Sequence, residues 1–140
     1  MRNTIVIAAL LLMVCSGCKK TSISTTNRQT QYTLTPQHNS GIWGTVTFIE
    51  VKDSSLTKVD IEVNNTPAPT YVAHIHQGPP TSYHGAIYYF DPIHSSGGHV
   101  SYLQNIPLLY DSALLLNCTF AFHDYTGDTV LGYCGVGINR

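Results

Sequence analysis

The segment Lys58-Val59-Asp60-Ile61-Glu62-Val63 alternates strictly between charged and apolar residues. Successive side chains of a β-strand point to opposite faces, so this pattern predicts a strand with one face in a core and the other in water. Asp53-Ser54-Ser55, just before it, predicts a turn. A sheet with one hydrophobic side is therefore the first structural element that the sequence indicates.

Other parts of the chain have the composition of strands, being rich in β-branched and aromatic residues between Pro, Gly, Ser and Asp clusters. The predicted strands are Tyr32–Thr35, Ile42–Val51, Tyr71–His76, Ala86–Phe90, Val100–Ile106, Ala113–His123 and Val130–Ile138. Helical periodicity is absent apart from a short turn near Leu108 to Ala113, and a helix over Leu108–Leu116 is the alternative. The pattern predicts an all-β fold, an antiparallel Greek-key β-sandwich or flattened barrel of about seven or eight strands.

The N-terminus has the pattern of an export signal. Arg2 supplies a positive charge, Ile5–Val14 is an uncharged apolar run too short to span a bilayer, and Cys15-Ser16-Gly17-Cys18 follows. This resembles a bacterial lipobox, although Cys15 stands where Leu is usual. We therefore predict that residues 1–17 are a lipoprotein signal peptide and that Cys18 is lipidated, with an ordinary cleaved signal peptide as the alternative.

The predicted signal is followed by a polar segment. Residues 18–30 are mostly Lys, Thr, Ser, Asn, Gln and Arg, which cannot bury enough apolar surface to fold, so they are predicted to be a disordered tether. Residues 31–140 are the size of one domain. We expect the protein in the bacterial cell envelope, anchored to a membrane by lipid on the outer-membrane or periplasmic face.

The charge of the chain excludes one class of partner. Charged residues make up 11% of the sequence and the formal net charge is -1, so no basic field is available to attract a phosphate backbone. Nucleic acid is therefore not an expected partner.

Histidine is over-represented: the chain has seven, and six of them lie between His74 and His123. In Ala73-His74-Ile75-His76 the two imidazoles stand at positions i and i+2 of a predicted strand and so project from one face. Neutral imidazole is a good ligand for copper and zinc. The two imidazoles could therefore bind a single metal ion together. The alternative is a surface strand that carries two histidines without a metal.

Four pieces, in this order, resemble the signature of copper-zinc superoxide dismutases. They are Ala73-His74-Ile75-His76, Ser95-Ser96-Gly97-Gly98-His99, Phe122-His123-Asp124 and Gly132-Tyr133-Cys134-Gly135-Val136-Gly137-Ile138. The resemblance implies a superoxide dismutase-like sandwich with a copper ion held by His74, His76, His99 and His123. It gives His99 a catalytic role as the histidine that in the family bridges copper to zinc, and superoxide or another small anion becomes the expected partner.

The chain departs from this family in ways that imply a copper-only site. Between His99 and His123 there is no further histidine and only Asp111, so the family's zinc site is not expected. His84 and His94 precede His99. They either bind a second metal ion or are solvated turn residues. Leu131 replaces the family's guiding arginine, and the resemblance is therefore to the copper-only branch.

Two cysteines remain in the predicted domain. Export would place Cys118 and Cys134 in an oxidising compartment, where a disulfide between them can persist. In the resemblance Cys134 matches the family's disulfide cysteine, but Ile93 occupies the place of the usual partner, leaving Cys118 as the candidate. Two buried free thiols are the alternative.

One further residue is assigned to the site. Asp124 directly follows His123 and is a candidate to orient its imidazole through a hydrogen bond.

A second resemblance competes with the first. His74-Ile75-His76-Gln77-Gly78-Pro79, followed by Gly85-Ala86-Ile87-Tyr88, resembles the CHRD domain of exported bacterial lipoproteins. That resemblance implies a binding or structural module without an enzymatic activity. Three functions thus stay open: a copper-dependent superoxide dismutase, a copper storage or delivery protein, and a metal-free CHRD-like module.

Overall fold

A computed structural model describes residues 27–140. In chain order its elements are β1 (Gln29–Thr33), β2 (Thr35–Pro36), β3 (Trp43–Glu50), β4 (Thr57–Asn64), β5 (Thr70–Gln77), β6 (Ala86–Tyr89), β7 (Ile93–His94), β8 (His99–Ile106), the helix α1 (Tyr110–Ala113), β9 (Asn117–His123) and β10 (Val130–Gly137). The first sheet has the order β1-β3-β4-β8, and the second has the order β2-β10-β9-β5-β6, with β7 paired to β5. All pairings are antiparallel, and the described residues form a β-sandwich without a closed barrel, which confirms the predicted fold class.

The alternation in β4 determines how the first sheet packs. Val59, Ile61 and Val63 are fully buried, whereas the charged residues between them lie on the outer face. The hairpin that pairs β3 with β4 turns at Asp53, whose φ of 55° lies in the left-handed region that Asp tolerates. The predicted strand and its turn are both confirmed.

Strand β9 occupies the centre of the second sheet, between β10 and β5. Phe120 and Phe122 point into the core, where Phe120 makes an edge contact with Phe90 and Phe122 stacks on Tyr71. Because side chains alternate along a strand, Thr119, Ala121 and His123 must face away from the core. The aromatic residues thus fix which face of the sheet carries His123.

The connections between the sheets place β5 beside β9. After β4 the chain crosses to the second sheet, forms β5 and β6, and returns as β8 to pair with β4. This crossed arrangement is the Greek-key connection of β-sandwiches. Two strands that are separated by about 40 residues of sequence thus become neighbours.

The sequence prediction differs from the structure at α1. The strand predicted to begin at Ala113 begins at Asn117, because the preceding residues form one helical turn in which Ala113 donates its N–H to the Leu109 carbonyl. This turn buries Tyr110 and Ala113 against the sandwich. The two-residue strand β7 was not predicted, since two residues are too few to show a period.

The N-terminal edge of the domain is held by Arg28. Its guanidinium contacts Glu50 at 2.6 Å and Asp111 at 2.7 Å, and lies 5.0 Å from the centre of the Tyr110 ring. These contacts raise the pKa of Arg28 above its usual value. Strand β1 begins at Gln29, so the first sheet includes the last two residues of the predicted tether of residues 18–30.

The predicted signal peptide and the lipidation site Cys18 lie outside the described residues. Within residues 27–140, no helix has both the length and the apolar character needed to cross a membrane. Among the described residues the buried core extends from Tyr32 to Val136, so a chain of residues 27–140 contains all of these core residues.

Substitution of Phe120 by Ala tests the assignment of this core. Phe120 is fully buried between the sheets. Removing its ring leaves a cavity, so we expect the free energy of unfolding of residues 27–140 to fall by about 3 to 5 kcal/mol in urea denaturation. Leu103→Ala is the control, because Leu103 is 57% exposed, and should change stability by no more than about 0.5 kcal/mol. Equal losses in the two variants would contradict the assignment.

Candidate metal site

Three histidines meet on the outer face of the second sheet. His74 and His76 come from β5, and His123 comes from the end of β9. One ring nitrogen from each lies within 4.8 Å of the others. The ring centres are 4.8 Å apart for His74 and His123, 5.7 Å for His74 and His76, and 5.8 Å for His76 and His123. We call these residues the histidine trio.

The register of β5 and β9 brings the trio together. Val72 lies opposite His123, and His74 lies opposite Ala121, so His123 is the diagonal neighbour of His74. The small Ala121 leaves room for imidazoles on either side. An irregularity in the pairing of β5 with β6 falls between Ile75 and His76, and such bulges re-aim side chains near functional sites.

The trio contains buried polar atoms without partners. Nε2 of His76 and both ring nitrogens of His123 are buried, and none has a hydrogen-bond partner among the described residues. A buried polar group without a partner costs free energy, and such groups are rare in folded proteins. Three such atoms at one point form a group that could hold a metal ion.

The hydrogen bond made by His76 fixes which of its nitrogens can bind a ligand. Nδ1 of His76 lies 2.9 Å from the backbone carbonyl oxygen of His84. A carbonyl can only accept, so Nδ1 carries the proton and Nε2 presents a lone pair. This is the usual arrangement of a metal-binding histidine, whose second nitrogen donates to a carbonyl or carboxylate.

The surroundings of His123 and His74 disfavour their charged forms. Burial, together with the charges of the neighbouring His74 and His76, lowers the pKa of His123 to about 4. Burial, followed by the charge of His76, also lowers the pKa of His74. Metals bind the neutral imidazole, so these shifts favour the form that acts as a ligand.

Two tyrosines form walls of the site. The Tyr89 ring lies 4.6 Å from the His74 ring, and the Tyr83 ring lies 4.8 Å from the His76 ring. Tyr89 is 65% exposed and stands directly opposite His74 on β6. Neither tyrosine was assigned to the metal site from the sequence, because the pairing of β5 with β6 is not visible in the composition of either strand.

His99 does not join the trio, which corrects the predicted four-histidine site and the catalytic role given to His99. Val100 on β8 points into the core, so the adjacent His99 faces outward from the first sheet, on the opposite side of the sandwich. Its Nδ1 is 3.0 Å from Oδ1 of Asn64 and its Nε2 is 2.9 Å from a carboxylate oxygen of Glu62. The other three predicted ligands are brought together.

The remaining predicted site residues also lie outside the group. Nδ1 of His94 is 3.4 Å from the Thr70 hydroxyl, and His84 reaches the site through its backbone carbonyl. The Asp124 carboxylate accepts a hydrogen bond from the Thr126 hydroxyl in the turn after β9. The expected hydrogen bond from His123 to Asp124 is therefore not formed.

The predicted disulfide is absent from the structure, in which Cys118 and Cys134 are buried free thiols. Cys118 lies opposite Val136 and Cys134 lies opposite Phe120, so the two cysteines are diagonal rather than paired across the strands. Burial raises the pKa of Cys134 to about 12 and also raises that of Cys118, which keeps both protonated. The alternative of two free thiols describes the structure.

Comparison with known proteins assigns no family. No protein-family model matches the chain, and a search of the curated proteins finds no match. The fold and the site together define an all-β sandwich with a three-histidine group on one outer face.

The buried imidazoles predict acid sensitivity of the metal-free protein. The pKa of His123 is about 4 in the folded state and near 6.5 in the unfolded state, so the unfolded chain binds more protons between these values. Stability is therefore complete above about pH 6.5 and falls as the pH drops toward 4, by about 3 kcal/mol from His123.

Urea unfolding of residues 27–140 in chelator, between about pH 7 and about pH 4.5, measures this effect. In His123→Leu most of the dependence should disappear, and a smaller part from His74 should remain. An unchanged slope in His123→Leu would show that His123 is not a buried neutral imidazole.

Proposed function

We propose that this protein is an exported copper-binding protein that holds the ion through His74, His76 and His123. The observation that carries the proposal is the set of buried ring nitrogens without partners, which converge on one point. A metal ion would accept their lone pairs and offset the cost of burying them.

The composition of the donor set favours copper. The group contains three imidazoles and no thiolate or carboxylate. Carboxylate-rich sites suit magnesium and calcium, whereas imidazole suits copper, zinc, iron and nickel. Among divalent ions a nitrogen site binds copper most tightly, so copper is the ion that we propose.

We propose superoxide dismutation as the activity of this site. A copper ion bound there would supply the one-electron oxidation and reduction that convert superoxide to oxygen and hydrogen peroxide. The chain itself orients His76 through the His84 carbonyl and buries His123, while the exposed Tyr89 ring lies against His74. With three protein ligands, one side of the site stays available to a small anion.

Export and lipid anchoring at Cys18 belong to the same proposal. They would place the site in the cell envelope, where superoxide or another small anion is the partner. The formal net charge of -1 offers no general attraction for anions, so we expect turnover without strong electrostatic steering.

A structural observation favours the second candidate, a CHRD-like module or copper storage protein. The Gly78-Pro79 turn is fastened to β9, since Gly78 donates its N–H to the Asn117 carbonyl at 2.8 Å and accepts a hydrogen bond from the Thr119 hydroxyl at 2.9 Å. The motif that resembles CHRD domains therefore has a structural task of its own. Copper binding without superoxide turnover would support storage, and no stoichiometric copper would support the metal-free module.

Copper titration of residues 27–140 tests the proposal. We expect one tightly bound copper ion per chain, measured by competition with a chelator of known affinity. His74→Ala and His123→Ala should each weaken binding by at least about 100-fold, since each removes a ligand. Superoxide turnover is then measured on the same samples.

His99→Ala is the matched control, because His99 lies on the opposite side of the sandwich. It should keep both the stoichiometry and the affinity of the wild type. Loss of copper in His99→Ala would refute the three-histidine site in favour of the four-histidine site of the dismutase resemblance. Absence of stoichiometric copper in the wild type would refute the proposal as a whole.

A further inference from the structure

An apolar cleft opens between the two sheets, away from the histidine trio. Its volume is about 220 Å³. An engineered cavity of about 150 Å³ with an apolar lining binds benzene, so this cleft has room for several carbon atoms. Its lining carries no charged residue and consists of Ile75, Ile87, Tyr88, Ile106, Pro107, Leu108 and Leu116.

The polar side chain in the lining, Tyr88, already has a hydrogen-bond partner. The Tyr88 hydroxyl accepts a hydrogen bond from the Gln104 side-chain amide at 3.0 Å, and Gln104 also accepts from the Tyr102 hydroxyl. The cleft therefore favours an apolar ligand over a polar one.

Exposed apolar side chains continue the surface beyond the cleft. Ile87 is 54% exposed, Leu109 is 54% exposed and Leu115 is 74% exposed. Leu109 and Leu115 are sequence neighbours of the lining residues Leu108 and Leu116. We call Ile87, Leu109 and Leu115 the apolar rim. Exposed apolar side chains beside an apolar cleft are typical of a surface that contacts a partner or a membrane.

The N-terminal chain enters the domain at the same end of the sandwich. Glu50, Thr57 and Ile106 lie side by side across the first sheet, and Arg28 is bonded to Glu50 and to Asp111, two residues after Leu109. Cys18, the predicted lipidation site, precedes Arg28 by ten residues, which span at most about 35 Å. A lipid on Cys18 would therefore hold this end of the domain close to a bilayer.

From these observations we propose that the cleft and its rim are a membrane-contacting surface, in which the cleft takes an acyl chain of a bilayer lipid. The lining carries no charge, and Asp111 nearby is paired with Arg28, so the surface fits a zwitterionic membrane. This surface is separate from the metal site, and its position near a bilayer rests on the lipid anchor at Cys18 that belongs to the proposed function.

Partitioning of residues 27–140 onto phosphatidylcholine vesicles tests the proposal. We expect the protein to float with the vesicles, with a partition coefficient that changes less than about twofold between about 0.05 and about 0.5 M salt. The double variant Ile87→Gln, Leu115→Gln should lower it by at least about fivefold. Leu103→Gln, an exposed residue on the outer face of the first sheet, should leave it unchanged.

Tryptophan quenching locates the contact. The single tryptophan, Trp43, is paired with Asn64 at the opposite end of the first sheet, seven residues along β3 from Glu50, or about 23 Å away. Lipids with brominated acyl chains should quench the fluorescence of Leu115→Trp in a Trp43→Phe background, and should leave Trp43 of the wild type unquenched.

The proposal is overturned if the wild type does not float, or if Leu103→Gln loses as much binding as the rim variant. It is also overturned if residues 27–140 form a dimer that the rim variant dissociates. Binding of monomeric decanoate without vesicle binding would assign the cleft to a soluble apolar ligand instead. None of these outcomes depends on copper.

Discussion

The antiparallel pairing of β5 with β9 is the contact on which the rest of the molecule depends. It joins the two halves of the second sheet, and its register decides which side chains face the core. Ile75, Phe120 and Phe122 then pack inward, and His74, His76 and His123 are left on the outer face. A one-residue shift of β5 would turn His74 and His76 into the core, and a one-residue shift of β9 would turn Phe120 and Phe122 outward, so the hydrophobic effect also fixes the geometry of the site.

The histidine trio lowers the folding stability of the metal-free protein. Among the described residues, the other buried side-chain nitrogen and oxygen atoms have hydrogen-bond partners. In the trio, ring nitrogens are buried without partners, and neighbouring imidazoles disfavour protonation of His123. Local costs of this sort are typical of functional sites, where a ligand supplies the missing interaction.

Sequence reasoning succeeded where one physical period controls a segment. The alternation of β4, the outward face shared by His74 and His76, and the opposite facing of Phe122 and His123 all follow from the two-residue period of a strand. It failed where the outcome depends on partners distant in sequence. His99 was assigned to the copper site by resemblance, but its strand pairs with β4, and its imidazole meets Glu62 and Asn64 instead.

The disulfide failed for a related reason. The oxidising compartment made a bond between Cys118 and Cys134 chemically reasonable, but the register of β9 and β10 sets the two residues diagonally. The distance between the two sulfur atoms depends on how the two strands align. The spacing of cysteines in a sequence does not specify that alignment.

The sequence by itself determined the fold class, the inward and outward faces of the longer strands, and the face that His74 and His76 share on β5. These properties follow from local periodicity, which each strand carries in its own residues. Tertiary structure alone decided that β9 lies beside β5, that His99 lies on the far side, and that an apolar cleft opens near Leu108. The reason is physical: strand order and register arise from burying all the apolar faces at once, and no single segment encodes that arrangement.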